Sequence, residues 1–180
     1  MAGVFSSEQK LRMENISTEY HLESAGSGAW TLFPYQVKRF VHEHKVRQPG
    51  EPVFTAFEFE NPYDDQPMRF ILTLLPAEKT GRSTVEMISF EVNNHNKIEI
   101  PVNIEPFNNL KLDETGKLQL YDRNWKLLKV IDLKEKLPNL IKGKNKITFD
   151  AVFTNEEPSK FNIEMKTIGV GEPLKATARK

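Results

Sequence analysis

Residues 117–149, KLQLYDRNWKLLKVIDLKEKLPNLIKGKNKITF, constrain the fold more than any other part of this chain. A short apolar run from Leu118 to Tyr121 meets Asp122-Arg123-Asn124 and returns from Trp125 to Ile131. Asp and Asn suit a tight reversal, because their short side chains bond nearby backbone N–H groups and tolerate left-handed φ. Leu137-Pro138-Asn139-Leu140 and Gly143-Lys144-Asn145 then punctuate the chain before an alternating run, Ile147, Phe149, Ala151 and Phe153. A period of two marks a strand with one buried face. The stretch holds no catalytic signature.

The same pattern recurs along the chain. Phe57 and Phe59 alternate with Glu58 and Glu60, and Asn61-Pro62-Tyr63-Asp64-Asp65-Gln66-Pro67 reads as a turn. Phe70, Leu72 and Leu74 share a face, and a further run covers Val85 to Val92. Asn93-Asn94-His95-Asn96 is a hairpin-turn cluster. Beyond it Ile98, Ile100, Val102 and Ile104 alternate with Glu99, Pro101, Asn103 and Glu105, and Pro101 points to an edge strand. Strands are also expected at 146–153 and 160–168, with one short helical turn near Leu133–Leu140. Trp30, Leu32 and the 37–41 segment supply earlier strand material interrupted by Pro34.

Eight to ten short strands with almost no 3.6-residue period predict an all-β chain, a two-sheet antiparallel β-sandwich of jelly-roll type. Residues 1–28 read as a leader, edge segment or linker, with Leu11, Met13 and Ile16 able to dock and 24–28 forming a loop. The sandwich is expected over 29–169, and 170–180 is a polar, flexible tail.

At 180 residues the chain is long enough to bury a sizeable core, and it has no cysteine to staple it. That excludes disulfides, thiolate metal sites and cysteine nucleophiles. Lys plus Arg and Asp plus Glu are both 25, so formal charge is zero. A neutral chain without a basic stripe is a poor electrostatic partner for nucleic acid or anionic lipid, so neither is expected. The one basic run, Lys142–Lys146, reads as a solvated loop. The start of the chain lacks the roughly 7–15-residue apolar run of a secretion signal. Nothing approaches the roughly 20 apolar residues that span a membrane, so no insertion is expected. Location stays open: secreted or cell-surface if the chain is an excised fragment, cytoplasm or virion otherwise.

No phosphate loop, nucleophile elbow or zinc helix occurs, and the many carboxylates alternate with apolar residues as a solvated strand face requires. No enzyme is expected. His42 and His44, two apart on a strand, share a face and with Glu58 sketch a metal site, but without a third spaced His or Cys they read as ordinary surface histidines, and no metal site is expected. Glu60, Asn61, Asp64 and Asp65 gather oxygen donors on a turn, so a structural calcium is the one cofactor left open.

Aromatic residues are the better lead. Sugars offer C–H faces that stack on Trp and Tyr, and hydroxyls that bond planar polar groups. Trp125 follows the turn of Asp122, Arg123 and Asn124, with Tyr121 before it and facing outward by alternation. Trp30 and Tyr35 make a second aromatic group. The alternative is that both tryptophans plug the interior between two sheets.

The runs Met87-Ile88-Ser89-Phe90-Glu91-Val92-Asn93, Ile100-Pro101-Val102 and Leu120-Tyr121-Asp122-Arg123-Asn124-Trp125 resemble accessory β-sandwich domains of bacterial polysaccharide-degrading enzymes. The continuation through Leu137-Pro138-Asn139-Leu140, Gly143-Lys144-Asn145 and Ile147-Thr148-Phe149 is similar to how such domains finish, so the likeness covers about residues 55–168. The resemblance implies a non-catalytic jelly-roll module beside a glycoside hydrolase or lyase, although no catalytic domain accompanies it here. Of its residues only Trp125 and its neighbours carry over.

The partners expected are therefore a glycan and a tethered catalytic domain. The competing reading is a structural β-sandwich of a phage tail or capsid, with copies of itself or other virion subunits as partners.

Overall fold

The structure, a computed structural model, describes residues 9–13, 16–24, 30–44, 52–76, 82, 84–95, 97–113, 115–154 and 159–173. Among them it contains strands and no helix. The first strands are β1 (Gln9–Met13), β2 (Ile16–Ser24), β3 (Trp30–His44), β4 (Pro52–Asn61) and β5 (Gln66–Pro67). There follow β6 (Phe70–Pro76), β7 (Val85–Val92), β8 (Ile98–Ile100), β9 (Asn109–Leu112) and β10 (Leu118–Tyr121). The last are β11 (Leu127–Ile131), β12 (Asn139–Leu140), β13 (Gly143–Phe153), β14 (Ser159–Ile168) and β15 (Glu172–Pro173). The strands outnumber the eight to ten expected, because several span only two to four residues and carry no periodicity of their own.

Every pairing is antiparallel. A nine-stranded sheet runs β1-β2-β3-β14-β6-β9-β10-β11, with β15 also on β3. A four-stranded sheet runs β4-β13-β7-β8, and β12 pairs with β5. β1 and β2 join the larger sheet at its far edge from β11, so the strands before residue 29 pair directly with those after it. The side chains of Leu11, Met13 and Ile16, and residues 25–29, lie outside the described residues.

Alternation delivers the core. β13 and β14 bury every second residue over most of their length, and Ile147, Phe149 and Phe153 share one buried cluster as the sequence predicts. Rings of the two larger sheets touch across it: Phe70 lies 5.0 Å from Phe90, and Phe149 lies 5.1 Å from Phe161. Ile98, Ile100, Val102 and Ile104 are all buried, with Glu99, Pro101, Asn103 and Glu105 exposed between them. β8 is an edge strand, and Pro101 follows it immediately.

Three expectations fail, each for a local reason. Pro34 does not interrupt β3; it sits inside it, opposite Tyr20. Its carbonyl accepts Gly169 N–H at 2.7 Å, so its missing N–H falls on the same side. There the β14 ladder stops at Tyr35 and β15 begins at Leu32, so no ladder bond is lost. No helical turn forms near Leu133–Leu140: Pro138 disfavours helical backbone at Leu137, and Asn139–Leu140 pairs with Gln66–Pro67 instead. The basic run is mostly strand rather than loop, because Lys144 and Lys146 lie in β13 opposite Glu60 and Glu58. Opposite charges across a ladder favour that register.

Candidate functional site

The β9–β10 and β10–β11 connections are one turn built twice. In the first, Asp113 N–H donates to Lys117 O at 3.1 Å and Gly116 N–H to Asp113 O at 3.1 Å. Asp113 Oδ1 accepts the backbone N–H groups of Thr115 and Lys117. In the second, Asp122 N–H donates to Lys126 O at 3.0 Å and Trp125 N–H to Asp122 O at 3.1 Å. Asp122 Oδ1 accepts Asn124 N–H at 2.8 Å and Lys126 N–H at 2.9 Å. Asp113, Thr115, Gly116 and Lys117 of the first turn therefore match Asp122, Asn124, Trp125 and Lys126 of the second. At Asp113 burial alone raises the pKa, but the Thr115 hydroxyl, the two backbone N–H groups and the Lys111 charge outweigh it, holding the carboxyl below its ordinary value.

The fourth position of this turn is left-handed. Gly116 occupies it in the first copy, at φ +78°. Trp125 occupies it in the second, at φ +61°. A bulky residue there is an outlier, costing about 1–2 kcal/mol against a right-handed conformation. Trp125 gains little burial in return, since it is 52% exposed. Strain without burial points away from a packing role. Trp125→Gly is accordingly expected to leave stability unchanged or raise it by up to about 1 kcal/mol, strain relief offsetting the lost ring contact. A loss of more than about 1 kcal/mol in urea unfolding would make Trp125 a structural residue.

Behind Trp125 stands Tyr121, with ring centroids 5.6 Å apart and planes inclined by 53°. Leu118 and Leu120 are buried, so Tyr121 takes the outward face as alternation predicts. Its hydroxyl donates to Gln119 Oε1 at 3.0 Å, steadying the ring. Arg123 and Asn124 are exposed at the tip. Asp122 has a different job from the ligand contact expected of it, because its Oδ1 builds the turn.

Trp30 and Tyr35 do not extend this platform. Tyr35 is only 1% exposed, between β2 and β14, with Lys166 Nζ 4.1 Å from its ring centre. Trp30 is half-buried at the start of β3. Five strand steps separate β3 from β11, roughly 24 Å at the usual spacing. A single sugar cannot touch both aromatic groups.

The turn with oxygen donors is tied up internally. Asn61 Nδ2 donates to the carbonyls of Asp64 and Ile141, Asp65 Oδ1 accepts Lys142 N–H, and Asp64 Oδ1 meets Lys142 Nζ at 3.2 Å. The side chains of His42 and His44 lie outside the described residues. Among those described, no three His, Asp or Glu side chains gather as metal ligands.

One feature had no sequence signal. A cleft of about 520 Å³ opens at the other end of the β10–β11 hairpin, lined by Met68, Gln119, Val130, Asp132, Glu135 and Lys136 among others. Its walls come from separate segments, and nothing periodic marks them. Gln119 joins the cleft to the Tyr121 hydroxyl. No protein-family model, no curated protein and no solved structure matches the chain.

Proposed function

We propose that this chain is a non-catalytic carbohydrate-binding or accessory module, a two-sheet jelly-roll β-sandwich that grips a glycan through Trp125 and Tyr121. The observation that carries the reading is Trp125 itself: half-exposed, at φ +61°, where the sister turn uses Gly116. A residue kept at a conformational cost on a hairpin tip is best explained by what it touches outside the fold. In this reading the sugar's C–H face lies on the indole, Tyr121 backs it, and Arg123 and Asn124 bond its hydroxyls. A single weak site is enough where a tethered catalytic domain supplies effective concentration.

A glycan array followed by calorimetry tests this. Trp125→Ala should weaken binding by about 2 kcal/mol, roughly 30-fold, as at other aromatic hot spots. Equal affinities for the two proteins would remove Trp125 from the site, and turnover of the polysaccharide would make the chain an enzyme.

A second reading, a structural β-sandwich of a phage tail or capsid, draws on a different observation. β11 is the outer strand of the larger sheet and exposes Leu127, Leu128 and Val130. Edges of this kind are where subunits join.

A further inference from the structure

The outer face of the nine-stranded sheet carries one row of side chains in register across five strands. The row runs from Gln119 on β10 through Lys111 on β9, Ile71 on β6 and Glu164 on β14 to Arg39 on β3. Leu110, Leu112, Phe70, Leu72, Ile163 and Met165, which flank the middle of the row, belong to the core, so alternation turns the row outward. Arg69 and Lys166 stand two residues further along the same face, where Lys166 N–H donates to Arg69 O at 3.1 Å. Together with Lys111, Glu164 and Asp113 they wall a hollow of about 210 Å³.

Charge in this hollow does not balance. Arg69, Lys111 and Lys166 are all half-buried there, and the two carboxylates beside them are already engaged. Glu164 Oε2 accepts Arg39 Nε at 2.9 Å. Asp113 Oδ1 accepts three donors of its own turn, the Thr115 N–H and hydroxyl and the Lys117 N–H. Arg69 Nη1 donates to the neutral Gln66 Oε1 at 3.0 Å, while its Nε is enclosed with no hydrogen-bond partner. Lys166 Nζ rests 4.1 Å from the centre of the Tyr35 ring. Holding three cations half-buried beside two engaged carboxylates costs free energy that an incoming anion offsets.

We infer that the hollow takes the acid group of a charged sugar, carboxylate or sulfate ester, which makes an acidic polysaccharide the glycan of this module. The inference rests on the glycan reading above. Position supports it. Gln119, directly opposite Lys111, accepts the Tyr121 hydroxyl, so Lys111 lies roughly 8 Å from Tyr121 on the same face. A glycan stacked on Trp125 and Tyr121 can therefore lay a later unit in the hollow. Its volume of about 210 Å³ is below the roughly 300–1,000 Å³ of pockets that enclose a whole ligand, and suits one unit of a longer chain. The mixed charge favours a sugar acid over a nucleic acid. A strand with a phosphate at every step would meet Asp113 and Glu164, whereas a sugar unit carries one acid group beside hydroxyls that donate to carboxylates.

Calorimetry sets a polyuronate against its carboxyl-reduced form, and a sulfated polysaccharide against its desulfated form. The acidic member of at least one pair should bind about tenfold more tightly, as one charge-assisted contact predicts. That gap should narrow in about 1 M salt. Lys111→Gln should close it and Lys111→Arg should keep it, whereas Trp125→Ala should weaken both members of the pair alike. In NMR spectra, free glucuronate or glucose sulfate should move the amide signals of Arg69, Lys111 and Lys166, in the parent and in Trp125→Ala, and glucose should not. Equal affinities within both pairs overturn the inference. So does a gap that Lys111→Gln leaves open, or an oligonucleotide that binds more tightly than every polysaccharide. Trp125-dependent binding without a charge preference sinks this inference and keeps the glycan reading. Shifts with the free sugar acid, in a protein that binds none of the polysaccharides, keep the anion site and sink the glycan reading.

Discussion

Replacing Phe149 by Ala should lower stability by about 3–5 kcal/mol, the range for emptying a buried aromatic site. Phe149 is fully buried at the middle of β13, which is paired on both sides by β4 and β7. Its ring lies 5.2 Å from Phe90 and 5.1 Å from Phe161, so it joins the buried faces of two sheets. Neither neighbour can move in to fill the space, because each is held in its own ladder. The cavity term therefore adds to the lost transfer energy. Equilibrium urea melts measure this directly. A loss under about 1 kcal/mol would mean that the strands collapse onto the site instead of holding it open.

Asn145→Ala should cost nearly as much, about 2–4 kcal/mol, although it deletes no apolar surface. Asn145 is almost completely buried, and its amide is used from both ends. Oδ1 accepts Ile141 N–H and Asn93 Nδ2, each at 2.9 Å, while Nδ2 donates to Ile141 O at 2.8 Å and Gly143 O at 3.0 Å. Asn93 in turn accepts Lys146 N–H through Oδ1 at 2.8 Å. One side chain thus holds the 141–143 turn, where Gly143 takes φ +90°, against the β7–β8 hairpin. Alanine leaves backbone groups without partners in a site that protein atoms fill, and an orphaned buried polar group costs more than the bond it made. Thermal melts of the variant check it. A midpoint within a degree or two of the parent would show that water replaces the amide.

The Gly-Lys-Asn motif at 143–145 was visible in the sequence as punctuation, and the structure gives its chemistry. Asn93 and Asn94 were legible as a turn because both adopt positive φ, at 51° and 59°, which Asn tolerates and most residues resist. Trp125 was legible as a residue near a turn but not as one on the strained position itself. That follows only when DRNWK is set beside DETGK and the two bond patterns prove equal. The expectation of an exposed Tyr35 fails for a related reason. Aromatic character says nothing about burial, and Tyr35 is covered because β2 and β14 happen to flank it.

The properties legible in the residues alone are local: which residues alternate, where the chain reverses, and which side of each strand is apolar. Those properties depend on neighbours two to four positions apart, where backbone sterics and side-chain bonding act without help from the rest of the chain. Which strands lie at edges is settled by the folded chain, because it depends on pairings between distant segments. β3 is interior because β14, more than a hundred residues later, pairs along it from Tyr35 to His44. β11 is exposed because no described strand follows it in the sheet. The same alternating apolar run is core when a second sheet covers it and an interaction surface when nothing does. Burial is a property of the assembled layers, and the residues themselves carry only the capacity for it.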